Sequence, residues 1–255
     1  MSYADDGSIE EPRVQGLRAE NISFRYGDRT ILENISFDIP AGEIWGLIGR
    51  SGVGKSTLLN IVLGLYAPAC GKVSLGQRGV IGPGGIRGAV FRDATLIPWL
   101  TVLDNVLFPD NRQPEADRVA QASDLLIAAG LKSSLGLLPK QLSAGMSKRV
   151  EIIRALVMDE RYFVADEPFS GLDVTTRIDL QGIWLHLNRT HRRTGILCTH
   201  DPAEAVALCD AVMILRDAGS GTAGMSVVRL PSERRVDDLP GLGNPLVRSL
   251  VEQMG

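Results

Sequence analysis

Cysteine and histidine are scarce: three of each in 255 residues leave little material for metal or redox chemistry. Cys70, Cys198 and Cys209 show neither metal-ligand nor CxxC spacing, and read as small buried hydrophobes in a reducing compartment. Long apolar runs are also missing. The longest, such as "LLNIVLGLY", fall far short of the roughly 20 residues a bilayer span requires. The first residues, "MSYADDGSIEEP", are acidic and polar, unlike a secretory signal or a membrane anchor. No charge dominates: 27 Lys and Arg stand against 30 Asp and Glu, a net −3, which argues against a nucleic-acid-binding surface. These absences together predict a soluble cytosolic chain.

What is present is enough apolar residue, 44%, to bury a proper core. "ISFRYGDRTILENISFDIP" alternates around "YGDRT" and predicts two antiparallel strands with a tight turn. "EIWGLIG", "RYFVADEP" and "TGILCTH" are short, nearly all-apolar strands of the kind buried on both faces of a parallel or mixed sheet. Helices are expected in "KSTLLNIVLGL", in "IDLQGIWLHLNRTH" and after Asp201-Pro202, an N-cap followed by proline. Val119, Ala122, Leu126 and Ala129 form one helical stripe ended by Gly130; Met146, Val150, Ile153 and Val157 form another. "DAVMILRD" and "MSVVRLP" predict a closing hairpin, and "NPLVRSLVEQM" a short last helix. The expected organisation is a flexible tail over 1–14, an α/β domain over 15–230 with a helical insert at about 98–158, and a tail over 231–255.

"GRSGVGKST" fits G-x-x-x-x-G-K-[ST] and lies between a predicted strand and helix, the context the motif requires. Gly49, Arg50, Ser51, Gly52, Val53 and Gly54 would turn backbone N–H groups toward phosphate oxygens. Lys55 would supply a point charge, Ser56 a hydroxyl for Mg²⁺, and Thr57 completes the loop. GTPases, kinases and motors share the pattern, so it gives a nucleoside triphosphate without a purpose.

Asp166 closes an apolar strand, where a carboxylate is costly unless it faces an ion or a polar site. Glu167 beside it is placed to polarise a water. Acidic residues before a proline are also ordinary loop punctuation; the upstream phosphate loop weighs against that reading. His200 ends a strand at the sheet edge where open α/β sheets face their ligands, whereas His186 and His191 read as structural. Tyr26 is either a core-facing strand position or an aromatic platform for a nucleobase. Ser143 caps the helix that follows "LSAGM", a start free of bulky side chains and open to an anion.

In this order the pieces resemble the nucleotide-binding subunits of ABC transporters, from about Leu17 to Arg216. "GRSGVGKST" looks like Walker A, "YFVAD" like Walker B, "SGLD" like the D-loop with Asp173, "THD" like the switch histidine, and "LSAGM" like the LSGGQ signature. The resemblance implies a P-loop ABC cassette: a mixed core sheet, an antiparallel β subdomain and a helical insert. It implies ATP and Mg²⁺, with Ser56 and Asp166 on the metal and Glu167 and His200 catalytic. It also implies a second cassette, whose ATP would meet Ser143 and Gly145, together with membrane permease subunits at the inner face of the plasma membrane. "VIGPGGIRGAVFRDATLIPWLTVLDNV" is similar to the ATPases of nitrate, sulfonate and taurine importers, which implies a periplasmic solute-binding protein upstream and no nucleic acid.

Three positions depart from the family: Ala144, Met146 and Arg92, the last standing where the family has a glutamine that helps hold Mg²⁺ and water. A guanidinium only donates, so Arg92 would slow hydrolysis if it points into the site, and would pair with an acid such as Asp93 if it points outward. That keeps open a weakly hydrolysing regulatory subunit with an intact partner. A soluble ABC machine acting on nucleic acid is a further alternative; the duplicated cassettes, coiled-coil arms or zinc inserts of such proteins are not seen here.

Overall fold

The computed structural model describes residues 16–83, 87–91, 95–108, 115–158, 161–217, 223–231 and 244–254. The expected N-terminal tail, the first part of the C-terminal tail and Arg92 lie outside the described residues.

The predicted opening hairpin is β1 (Leu17–Tyr26) and β2 (Arg29–Ile39), antiparallel from Leu17↔Ile39 to Tyr26↔Arg29. Gly27, at φ +56°, makes the turn that a side chain would strain. On the other side of β1 lie β4 (Cys70–Leu75) and β5 (Arg78–Gly79), completing an antiparallel section.

The rest of the sheet is built on β3 (Ile44–Gly49), with β6 (Arg87–Val90), β7 (Tyr162–Asp166), β8 (Thr194–Cys198), β9 (Ala211–Asp217) and β10 (Ala223–Arg229). The order is β5-β4-β1-β2-β10-β9-β3-β8-β7-β6, with β9, β3, β8, β7 and β6 mutually parallel and β9–β10 an antiparallel hairpin. The chain is therefore an α/β fold with a mixed sheet.

Period two explains the layers. Tyr162, Val164, Ile196 and Cys198 face one core with Leu58, Leu59, Ile61 and Val62 of α1 (Lys55–Val62). Phe163, Ala165 and Leu197 face the opposite core. That second core is covered by α2 (Val102–Leu107), α3 (Glu115–Ala128), α4 (Ala144–Val157) and α5 (Val174–His191). Trp184 of α5 fills it, meeting Phe163 and Phe169 edge-on at 4.9 and 5.7 Å. A third cluster joins α6 (Pro202–Leu208) and α7 (Pro245–Met254) to Ile48, Val212 and Ile214.

Two sequence expectations are adjusted. Cys198 and Cys209 are buried, but Cys70 is exposed, because the first residues of β4 extend past the cover of the core. In α4 the stripe of Val150, Ile153 and Val157 is buried as expected, yet Lys148 and Glu151 are buried too. Glu151 accepts from Phe91 N, Thr95 N and the Thr95 hydroxyl, while Lys148 pairs with it at 3.3 Å and donates to Phe91 O. A buried carboxylate is tolerable only with partners of this kind. Polar residues at those positions in sequence gave no hint that they faced inward.

Candidate functional site

The parallel strands end at one edge of the sheet, and there a cleft of about 650 Å³ opens. Its floor is the loop between β3 and α1. Gly52 and Gly54 adopt φ +78° and +114°, conformations that let the loop fold tightly back on itself. Gly49 has a second constraint: a Cβ there would sit 2.3 Å from Leu215 O. Lys55 Nζ donates to Gly49 O at 2.8 Å and Arg50 O at 3.0 Å, which fixes the ammonium inside the loop's curve. α1 starts from Gly54 with no side-chain cap, so its first N–H groups and its dipole remain available to an anion.

Across the floor, β7 delivers Asp166, whose Oδ2 accepts from Ser56 Oγ at 3.1 Å. Glu167 follows with φ +48°, a left-handed conformation uncommon outside glycine, pinned by its N–H donating to Cys198 O at 2.9 Å. Its Oε1 is 3.5 Å from His200 Nδ1; the Glu167 side chain is 14% exposed and the His200 side chain 69%. Burial pushes the Cys198 thiol up, and the adjoining Asp166 carboxylate adds to that, so the thiol stays neutral beneath the site.

At the other end stands Tyr26, half exposed and lining the cleft. It meets Phe24 and Tyr66 edge-on at 5.0 and 6.2 Å, while Phe24 and Tyr66 stack at 5.5 Å. The core-facing alternative for Tyr26 is thereby excluded. Arg29 and Ile31 also line this end and were not singled out from sequence. The hairpin turn held the signal, because Arg29 pairs directly with Tyr26 and so shares its face.

Gly49, Ser51, Gly52, Gly54, Lys55, Ser56, Thr57, Asp166, Glu167, His200 and Tyr26 are thus gathered into one cleft. Arg50 and Val53 belong to the loop but not to the cleft's lining; Arg50 O accepts from both Lys55 Nζ and Val53 N. Ser143, Gly145 and Asp173 are elsewhere. Ser143 Oγ accepts from Met146 N at 3.2 Å and Asp173 Oδ1 from Thr176 N at 3.0 Å, each capping its helix. The bond from Thr176 also holds the Asp173 carboxyl below its ordinary value. A Cβ on Gly145 would meet Leu172, beside Asp173, at 3.9 Å, so the two helix starts adjoin. The predicted residues form two groups, not one.

Among the described residues there is no cluster of three or more His, Cys, Asp or Glu able to hold a metal, and no helix long and apolar enough to cross a membrane. Ser56 and Asp166 nonetheless present two hard oxygen donors side by side, which suits Mg²⁺ completed by water and phosphate.

Known proteins place this geometry. The model of the ABC transporter family matches residues 32–170. An aliphatic sulfonates import ATP-binding protein of Rhodopseudomonas palustris is 36% identical over 252 residues, 98% of this chain and 88% of that protein. A bicarbonate transport ATP-binding protein of Synechocystis is 38% identical over 229 residues, covering 87% and 81%. Among solved structures, a dimeric post-hydrolysis state of an ATP-binding cassette bound to ADP and Pi is similar with TM-score 0.73 and 27% identity, covering 85% of this chain and 100% of that one.

Proposed function

Because the chain belongs to the ABC transporter family, we propose that it energises a bacterial importer of small anions, working as a pair of cassettes attached to membrane permease subunits. It is an ATP-binding cassette and an ATPase. The observation that carries the fuller reading is the convergence of Lys55, Ser56, Asp166, Glu167 and His200 on one cleft, with Tyr26 at its far end.

ATP fits that cleft with its base against Tyr26 and its phosphates over the start of α1. Lys55 and the loop N–H groups hold the outer phosphates. Ser56 and Asp166 would hold Mg²⁺, which when bound offsets the charge on the phosphate oxygens. Glu167 orients the attacking water and draws on its proton as the water oxygen bonds the γ-phosphorus and the bond to the β–γ bridging oxygen breaks, releasing ADP and phosphate. His200, beside Glu167, donates toward the γ-phosphate. Ser143, Gly145 and Asp173 stand outside the cleft, and in this reading they meet the ATP of the second cassette. The relatives named for sulfonates and bicarbonate support a small anionic solute. Solute choice would belong to a periplasmic binding protein and the permease, and the chain itself would sit at the cytoplasmic face.

Reconstituting the chain in vesicles with the permease subunits that co-purify with it tests the reading. ATP-dependent uptake of a sulfonate, nitrate or bicarbonate is expected, with turnover stimulated by the loaded binding protein. ATP hydrolysis that no permease stimulates would rule out the transport role.

A further inference from the structure

Behind Glu167 and His200 lies a second cavity of about 110 Å³, and these two residues form the wall it shares with the nucleotide cleft. Arg177 of α5, Thr199 and Glu204 of α6 also line it. Glu204 is only 7% exposed. Keeping an ionisable carboxyl at that depth is costly, so what it touches is informative. Gln181 Nε2 of α5 donates to its Oε1 at 2.8 Å, and the Thr199 hydroxyl bonds it as well. The same hydroxyl oxygen accepts from Asp201 N at 3.1 Å, closing the turn that carries His200. On α5, Arg177 donates to Leu172 O at 3.2 Å, next to the cap residue Asp173. Its buried Nε makes no hydrogen bond among the described residues.

Glu204 therefore stands between two things that the hydrolysis reading needs held together. One is His200, whose largely exposed side chain is placed by the backbone of its turn and not by packing. The other is the start of α5 with Asp173. We propose that Glu204 is a positioning residue that fixes the His200 turn and the Asp173 segment in one relation, so that the cleft in one cassette and the surface offered to its partner move as a unit. The proposal rests on the reading of the main cleft as the ATP site.

The charged groups facing Glu204 are Arg177 from α5 and Asp201 from the start of its own helix, with His200 and Glu167 on the cavity wall. Burial raises its pKa, and Asp201 adds to that, against the bonds from Thr199 and Gln181 and the attraction of Arg177. The ionised form attracts Arg177. That attraction is present above the raised pKa and is lost as pH falls through it.

The test compares kcat and KM for ATP in the full-length wild type, Glu204→Gln and Gln181→Leu across about pH 5 to 8. Glu204→Gln keeps the shape and removes the charge. Its kcat is expected to fall roughly ten- to a hundredfold, as for misplaced catalytic groups, with KM for ATP little changed and with the acid limb of the profile displaced from its wild-type position. Gln181→Leu is expected to lose less and to keep that limb in place. A wild-type kcat in Glu204→Gln overturns the proposal, and so does a lowered kcat with the acid limb unmoved. Should Glu204→Gln prove insoluble, an unchanged kcat in Gln181→Leu overturns it. Turnover that survives Lys55→Ala would instead sink the reading of the cleft itself.

Discussion

Two helix starts in this chain look alike in sequence and differ in structure. α1 leaves Gly54 with no side-chain cap, inside a cleft that also holds Lys55, Asp166 and Glu167. α4 leaves Ser143, whose oxygen already accepts from Met146 N, and it stands outside the lining of that cleft. The first is a complete receptor for an anion: free N–H donors, a fixed ammonium and a carboxylate–hydroxyl pair. The second is partly satisfied and faces outward beside Asp173. Of these two helix starts α1 is the one whose donors converge on a cleft, and in the proposed reading α4 meets an anion carried by a second cassette.

The strongest way to break this contrast is at α1. Lys55→Ala should weaken ATP binding by about two orders of magnitude or more, because the outer phosphates lose the charge-assisted contact of the loop's lysine. Calorimetric titration would show it, and retained affinity would mean the cleft is not where the phosphates lie. Next, Glu167→Gln should bind ATP yet turn it over at least on the order of a hundredfold more slowly, the usual scale for losing a general base. With ATP persisting, light scattering should report a shift from monomer to dimer.

The α4 start is sharpened by adding Ser143→Arg to Glu167→Gln. Dimerisation should disappear while single-subunit ATP affinity stays within about twofold, since the bulk of the arginine blocks only the outward site. Survival of the dimer would make Ser143 a helix cap and nothing more. Ser143→Ala is the mildest probe: loss of the bond to Met146 N should cost about 1 kcal/mol in denaturant unfolding.

The contrast also separates what could be read in the sequence from what could not. Walker A is a continuous run in which each residue does its work within a few positions of its neighbour, so spacing alone predicted Lys55 and Ser56 together. The α/β alternation and the hairpin of β1 and β2 were legible for the same local reason. Arg29 and Ile31 were not, because the pairing of Tyr26 with Arg29 matters only once the β1–β2 sheet is laid beside the loop. Nothing in the sequence marks Lys148 and Glu151 for burial, but Phe91 and Thr95 arrive from about 60 positions away to bury them. Glu204 passed unremarked after a proline-led helix start, since its partner Gln181 is on another helix. Chemistry carried by contiguous motifs shows in one dimension; chemistry carried by contacts between elements does not.

Glu167 gives the molecule a conflict of interest between endurance and work. Its left-handed backbone is one that an L-residue adopts at a penalty of roughly 1–2 kcal/mol, and its carboxylate stands next to that of Asp166. Glycine would relax the backbone there, offset in part by its greater freedom when unfolded, for a net gain of up to about 1 kcal/mol. A screen that rewards only heat resistance would then favour Glu167→Gly, and the population it enriched would bind ATP and hardly consume it. Persistence of the glutamate under such a screen would show that its left-handed backbone carries no net penalty to relieve.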